Sequence, residues 1–180
     1  MDSAGEKKGH QTLAMGLILL GVVARLIPHP PNVTPLTAIA LFGGTSLPKR
    51  WAILLPLVIV AISDLLIGLH DVVAFTWSSL ALTGLLGWWI RKRAHAARIA
   101  FCAIAGSTIF FLVTNFGVWL VGDGGLMYPK TFQGLWLCYI AALPFYRNAL
   151  IGDLVFTAAI FGLYALATKR QLLYGIARLR

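Results

Sequence analysis

The chain has 180 residues, 59% hydrophobic and only 12% charged, with a mean hydropathy of +0.82. Soluble domains average roughly 45–50% apolar and about 25% charged residues, so a soluble enzyme, a disordered chain and a disulfide scaffold are excluded. The formal charge of +9 is spread over short loops between apolar stretches, which argues against a nucleic-acid partner.

A polar tail, MDSAGEKKGHQ, precedes a first apolar span from Thr12 to Ile27. Lys7 and Lys8, the apolar run and Val22-Val23-Ala24 also fit a cleaved signal peptide, the rival reading of this segment. PHPPNV cannot be helical and must turn; Thr34-Pro35 then reads as an N-cap followed by proline at the first helical position. That opens a short second span to about Leu47, ended by Pro48-Lys49-Arg50. Span three runs from Trp51 to about Leu69, and span four from about Val72 to Ile90. The basic loop RKRAHAAR leads into span five, about Ile99 to Val121. GDGGLMYPKTFQG reads as a loop and GLWLCYIAALPFY as an apolar piece too short to span, broken at Pro144. Span six covers about Asn148 to Ala167, followed by the basic tail KRQLLYGIARLR.

The expected fold is an all-α integral membrane protein. It is a compact bundle of six transmembrane helices over residues 12–169, with a short re-entrant or roof helix between spans five and six. Residues 1–11 and 170–180 are expected as cytoplasmic tails. With six spans, both termini and the loops at Lys49 and Arg91 share one side. That side carries twelve of the fifteen Lys and Arg residues, and only Arg25, Lys130 and Arg147 fall opposite. The positive-inside rule then makes both termini cytoplasmic, with the cations facing anionic lipid.

The remaining polar residues gather on the outer half. His29 and Asn32 lie in the first outer turn. Asp64, Gly68 and Asp71 return to one face at spacings of four and seven, with His70 beside them. Thr108, Phe111, Asn115 and Trp119 share a face of span five. Arg147 precedes span six, and Asp153 lies about 9 Å further along it. Ionisable groups at membrane depth cost something like 3 kcal/mol each and face a cavity or a partner. For Asp64 and Asp153 the bland alternative is a structural pair with Arg25 or Arg147. For His29 it is a solvated turn residue, as it is for His70 and Asp71. Trp119, Tyr128 and Tyr146 match an interfacial aromatic belt. Together these residues predict an outward-facing pocket roofed by the segment from Gly122 to Tyr146.

Cys102 and Cys138 sit in apolar surroundings with no metal spacing and read as small buried hydrophobes. No GxxxxGK[ST], HExxH or GxSxG occurs, so neither ATP hydrolysis nor metalloprotease or serine-hydrolase chemistry is expected of this chain.

The blocks RLIPHPPNVTPLTAIALFGG, SDLLIGLHD, FFLVTNFGVWL and YPKTFQGLWLCYIAALPFYRNALIGDLVFTAAIFG carry a resemblance that covers about Arg25 to Gly162. The chain resembles a family of mostly uncharacterised bacterial inner-membrane proteins. These are similar to the substrate-binding (S) components of ECF-type vitamin transporters, including the BtuM-type cobalamin transporters. The resemblance implies a multi-pass inner-membrane protein that binds a vitamin-like molecule from outside, usually with a separate ATPase and coupling module. By position, His29, Asp64 and Arg147 fall in the blocks that line the pocket. Cobalamin-binding members present a cobalt-ligating cysteine early in span four, where this chain reads AFTWSSL. His29 is therefore the candidate cobalt ligand, with no bound metal ion and no resident cofactor expected. Ala14, Gly16, Gly21 and Ala24 never fall four apart, so the first span lacks the small-residue spacing with which S components dock a coupling protein.

The expected function is a non-enzymatic, substrate-binding subunit of a vitamin or micronutrient transporter, cobalamin or a corrinoid being the first candidate. His29, Asn32, Asp64, Asn115, Trp119, Arg147 and Asp153 would contact the substrate. The alternatives are a membrane-embedded enzyme using His29, Asp64 and Asp153 on a lipid-soluble or periplasmic substrate, and a small carrier coupled to an ion through Asp64 or Asp153.

Overall fold

Long apolar runs flanked by charge leave the backbone one economical way to satisfy its own polar groups, which is the helix. The computed structural model describes the backbone from Ser3 to Ala177 and the side chains of residues 8–168. It contains α1 (Ser3–Leu26), α2 (Leu36–Ser46), α3 (Trp51–Ile67), α4 (Val73–Ile90), α5 (Ala96–Val121) and α6 (Phe132–Ala177). A single 3-10 turn, Gly122–Gly125, follows α5, and no strand occurs among the described residues. We call the end that carries the loop 27–35 the upper end; the loops at Lys49 and Arg91 lie at the lower end.

Among the described residues, four stretches are long and apolar enough to cross a membrane: Lys8–Leu26, Val73–Ile90, Ala96–Gly125 and Phe132–Thr168. Large apolar side chains point outward from the bundle, among them Leu19 (66% exposed), Leu65 (76%) and Leu163 (68%). Such a surface suits lipid rather than water, the signature of a membrane protein.

The other two of the six expected helices are shorter apolar ones. α2 has 11 residues and α3 has 17, or about 16 and 25 Å against roughly 30 Å of hydrocarbon. α2 needs no lipid-facing length because it is the centre of the bundle. It touches all five other α-helices, and every residue from Leu36 to Gly44 is buried. Its sequence, LTAIALFGGTS, permits this because it has no charge and several small side chains. Neighbouring backbones approach closely: a Cβ on Gly44 would strike the Gly84 carbonyl, one on Gly87 the Leu41 carbonyl, and one on Gly84 the Ala52 carbonyl. Small residues at helix crossings allow this contact.

The lower end of α2 is capped from α4. Arg91 Nε donates to the Thr45 carbonyl (3.0 Å) and Nη2 to that of Gly44 (3.2 Å), placing a cation on carbonyls that the helix itself leaves unpaired. At the same end the Arg98 guanidinium lies 3.8 Å over the Trp89 ring and Lys49 Nζ 4.5 Å over Trp88. This is an amphipathic rim of aromatics and cations.

Helix boundaries at α3, α4 and α5 fall within a few residues of expectation, and three differences stand out. α1 starts at Ser3, so the described part of the polar tail is helical. α2 starts at Leu36 with Pro35 in the cap position and no side-chain cap; Thr34 faces the cavity described below instead. The largest difference is that the expected roof helix and sixth span are one helix, α6, with Pro144 inside it. Proline removes one backbone bond, but contacts with α5 hold both sides of the site. Tyr139 Oη donates to the Leu112 carbonyl at 2.9 Å, and Tyr146 Oη lies 2.9 Å from Thr108 Oγ1.

Gly84→Ala is expected to destabilise the bundle by roughly 1–3 kcal/mol through overpacking against α3. Thermal unfolding in detergent checks this, with Gly16→Ala, where a Cβ meets nothing within 4 Å, as the neutral control.

Candidate functional site

Because α2 is short, a void is left above it, bordered by His29, Asn32 and Thr34 of the loop 27–35. The void has two adjoining lobes of about 290 and 360 Å³. Arg25, Asn32, Thr76, Phe110 and Ala149 line both. His29, Thr34, Thr37 and Asp153 add polar groups to the first lobe. His70, Thr114, Asn115, Phe111, Phe145 and Tyr146 give the second a mixed aromatic and polar wall.

The wall is held by a charge cluster behind it. Arg25 Nη1 of α1 lies 2.6 Å from Asp64 Oδ1 of α3 and donates to Ser63 Oγ at 2.8 Å. Trp77 Nε1 of α4 donates to the other oxygen, Asp64 Oδ2, at 2.7 Å. Asp64 is 1% exposed; its Oδ1 is held by the ion pair with Arg25 and its Oδ2 by the Trp77 indole. Three helices thus meet on one carboxylate. A buried charge is tolerable only when paired and hydrogen-bonded in this way.

Asp153 occupies the floor of the first lobe. It is 5% exposed; Ser107 Oγ of α5 donates to its Oδ2 at 2.6 Å, and Thr37 of α2 lies beside it. At the mouth, His29 Nδ1 lies 2.9 Å from the Pro30 carbonyl. A carbonyl only accepts, so the neutral ring carries its proton on Nδ1 and keeps the Nε2 lone pair free. Asn32 has φ 63°, a left-handed conformation that asparagine tolerates better than most residues. Asn148 Nδ2 donates to the Pro31 carbonyl at 3.4 Å and ties this loop to α6. In the second lobe Asn115 Nδ2 is spent on the Phe111 carbonyl at 2.8 Å, which leaves its side-chain carbonyl as an acceptor.

The loop after α5 closes over the upper end. The Asp123 amide donates to Asp71 Oδ2 at 3.0 Å, Trp119 Nε1 to the Pro129 carbonyl at 2.9 Å, and Lys130 Nζ to the Trp119 carbonyl. Asp123, Gly124 and Gly125 all have positive φ, which makes the turn tight.

Of the seven residues expected to contact substrate, His29, Asn32, Asn115 and Asp153 line the cavity. Asp64 stands behind the wall, paired with Arg25 as its structural alternative required. Trp119 supports the closing loop instead of lining a lobe. Arg147 is exposed on α6 and lines neither lobe. His70, read as a solvated loop residue, borders the second lobe, and Tyr146, read as part of a belt, turns inward. Arg25, Thr76, Thr37 and Ser107 were not expected as site residues. For Arg25 the signal was present, since it is a lone cation at the upper end of an apolar span. Both cysteines are buried free thiols, as expected.

A model of a family of unknown function, DUF6580, matches residues 6–175. Neither the curated proteins nor the solved structures gave a match.

Arg25→Met is expected to cost about 3–5 kcal/mol by leaving Asp64 buried and unpaired, while Arg25→Met combined with Asp64→Leu recovers most of that loss. Unfolding midpoints of the wild type, both single variants and the double variant measure the coupling.

Proposed function

The chain belongs to the DUF6580 family, and we propose that it is a substrate-binding membrane transporter subunit, similar to S components, for a vitamin or related micronutrient. What carries the reading is the two-lobed cavity, lined by residues of all six α-helices at the end of the bundle away from the basic loops. A few polar groups fixed among aromatic and aliphatic walls are the usual make-up of a small-molecule site. The lobe volumes suit a one- or two-ring molecule. Cobalamin, the first candidate from the resemblance, exceeds either lobe and would be met at the mouth, where His29 Nε2 is free.

In this reading the protein lies in the bacterial inner membrane with its cationic lower end and both termini in the cytoplasm. The cavity then faces outward. A separate ATPase and coupling module is the energy source that the resemblance implies, docked on a face other than the first span, which lacks the small-residue spacing; the chain has no phosphate-binding loop of its own. The protein is a carrier of its ligand rather than an enzyme. The enzymatic alternative, which draws on His29, Asp64 and Asp153, is less favoured because Asp64 is held by Arg25 and Trp77.

Calorimetric titration of the detergent-purified protein with a panel of vitamins, cobalamin included, is expected to give at least one Kd near 1 µM or tighter, about −8 kcal/mol. If none binds and no small molecule co-purifies, the proposal is wrong. For orientation, His70→Cys should react with an impermeant maleimide added to intact cells and Lys92→Cys should not. The native thiols are buried and should give little background.

A further inference from the structure

We infer that the ligand is a flat nitrogen heterocycle bearing a cationic or N–H donor group, with that group directed at Asp153 and the ring held beside Phe110. The inference rests on the transporter reading and deepens it. It starts from the charges that face the cavity. Arg25 is the only Lys or Arg among the residues that line either lobe, and Asp64 neutralises it at 2.6 Å. The two histidines, His29 and His70, stand at exposed positions near the mouth. Asp153 is the only acidic residue on either lining, and no lining cation is left to balance it.

Asp153 is also placed to be used. Ser107 fixes one oxygen, so the carboxyl is oriented by α5 while its residue borders the first lobe from α6. A buried carboxylate held by two hydroxyls, Ser107 and Thr37, still has acceptor capacity for further donors that would offset its desolvation. A ligand with a positive charge or paired N–H groups provides them; a ligand carboxylate would add like charge. The walls agree. Phe110 lies at the junction of the lobes, and Phe111 and Tyr146 stack with ring centroids 4.7 Å apart. Aromatic faces accept flat rings and favour cationic ones.

The test compares ligands of different charge on the whole protein. Thiamine is the cationic probe, nicotinamide the neutral donor, and nicotinate and biotin the anions. Wild type should bind thiamine or nicotinamide at least tenfold more tightly than either anion. Asp153→Asn keeps the side-chain size and a partner for Ser107. It should weaken the favoured ligand roughly tenfold to a hundredfold, the usual effect of losing a charge-assisted hydrogen bond, and should narrow the gap to the anions. Ser107→Ala keeps the carboxylate and should preserve the order of preference at reduced affinity, which a purely structural role for Asp153 does not predict. If Asp153→Asn does not fold, the wild-type order and Ser107→Ala still decide. Anions binding as well as thiamine and nicotinamide, or an unchanged order in Asp153→Asn, overturns the inference and leaves the transporter reading intact. Failure of the whole vitamin panel to bind removes both.

Discussion

One guanidinium and one carboxylate set inside an apolar bundle govern the architecture of the upper end. In hydrocarbon an unpaired Asp64 is untenable, so α1 must present Arg25, α3 must present Asp64 and Ser63, and α4 must present Trp77 to the same point. These contacts fix three helix ends relative to one another where the bundle is hollow and apolar packing is thinnest. Pairing also makes the wall electrically quiet, so the character of the void is set by the residues on its far side, Asp153 and the aromatic rings.

The void itself follows from the length of α2. A full-length span would have filled the bundle axis. An 11-residue helix fills only its lower part, and the proline-rich loop, exposed from Ile27 to Asn32, lies at the rim of the remainder. Gly44, Gly84 and Gly87 draw α2, α3 and α4 together below, and Arg91 closes the helix from beneath. Rigid packing below and a polar, open chamber above divide the molecule into a foundation and a receptacle.

Much of this was legible in the residues. Apolar runs bounded by charge and proline located α3, α4 and α5 within a few positions, because in such a composition nothing competes with hydropathy. Asn115 and Asp153 were found because a polar group in an apolar run must face something other than lipid, and His29 and Asn32 because they crown a stiff proline-rich turn above the helices. What failed were decisions that depend on three-dimensional neighbours. Pro144 looked like a helix end, but α5 supports the chain on either side. Tyr146 and Trp119 share a composition with interfacial belts, and only packing tells an inward ring from an outward one. Arg25 was weighed as a partner for Asp64 and not as a wall of the cavity, although a side chain long enough to do one does both. Thr34 carried the chemistry of a cap, yet the helix begins after Pro35 and the hydroxyl borders the void.

The continuity of α6 has a bearing on how the molecule sits in its bilayer. The apolar stretch Phe132–Thr168 is 37 residues long, about 55 Å of helix for roughly 30 Å of oil. Upright, it would expose far more greasy length than the bilayer covers, so it must lean or leave a turn or more in the headgroup layer. Its α5 partner is 26 residues long and cannot follow it to the end. The overhanging segment, with Leu163 and Leu166 exposed, is therefore the part of the protein whose solvation changes most with membrane thickness.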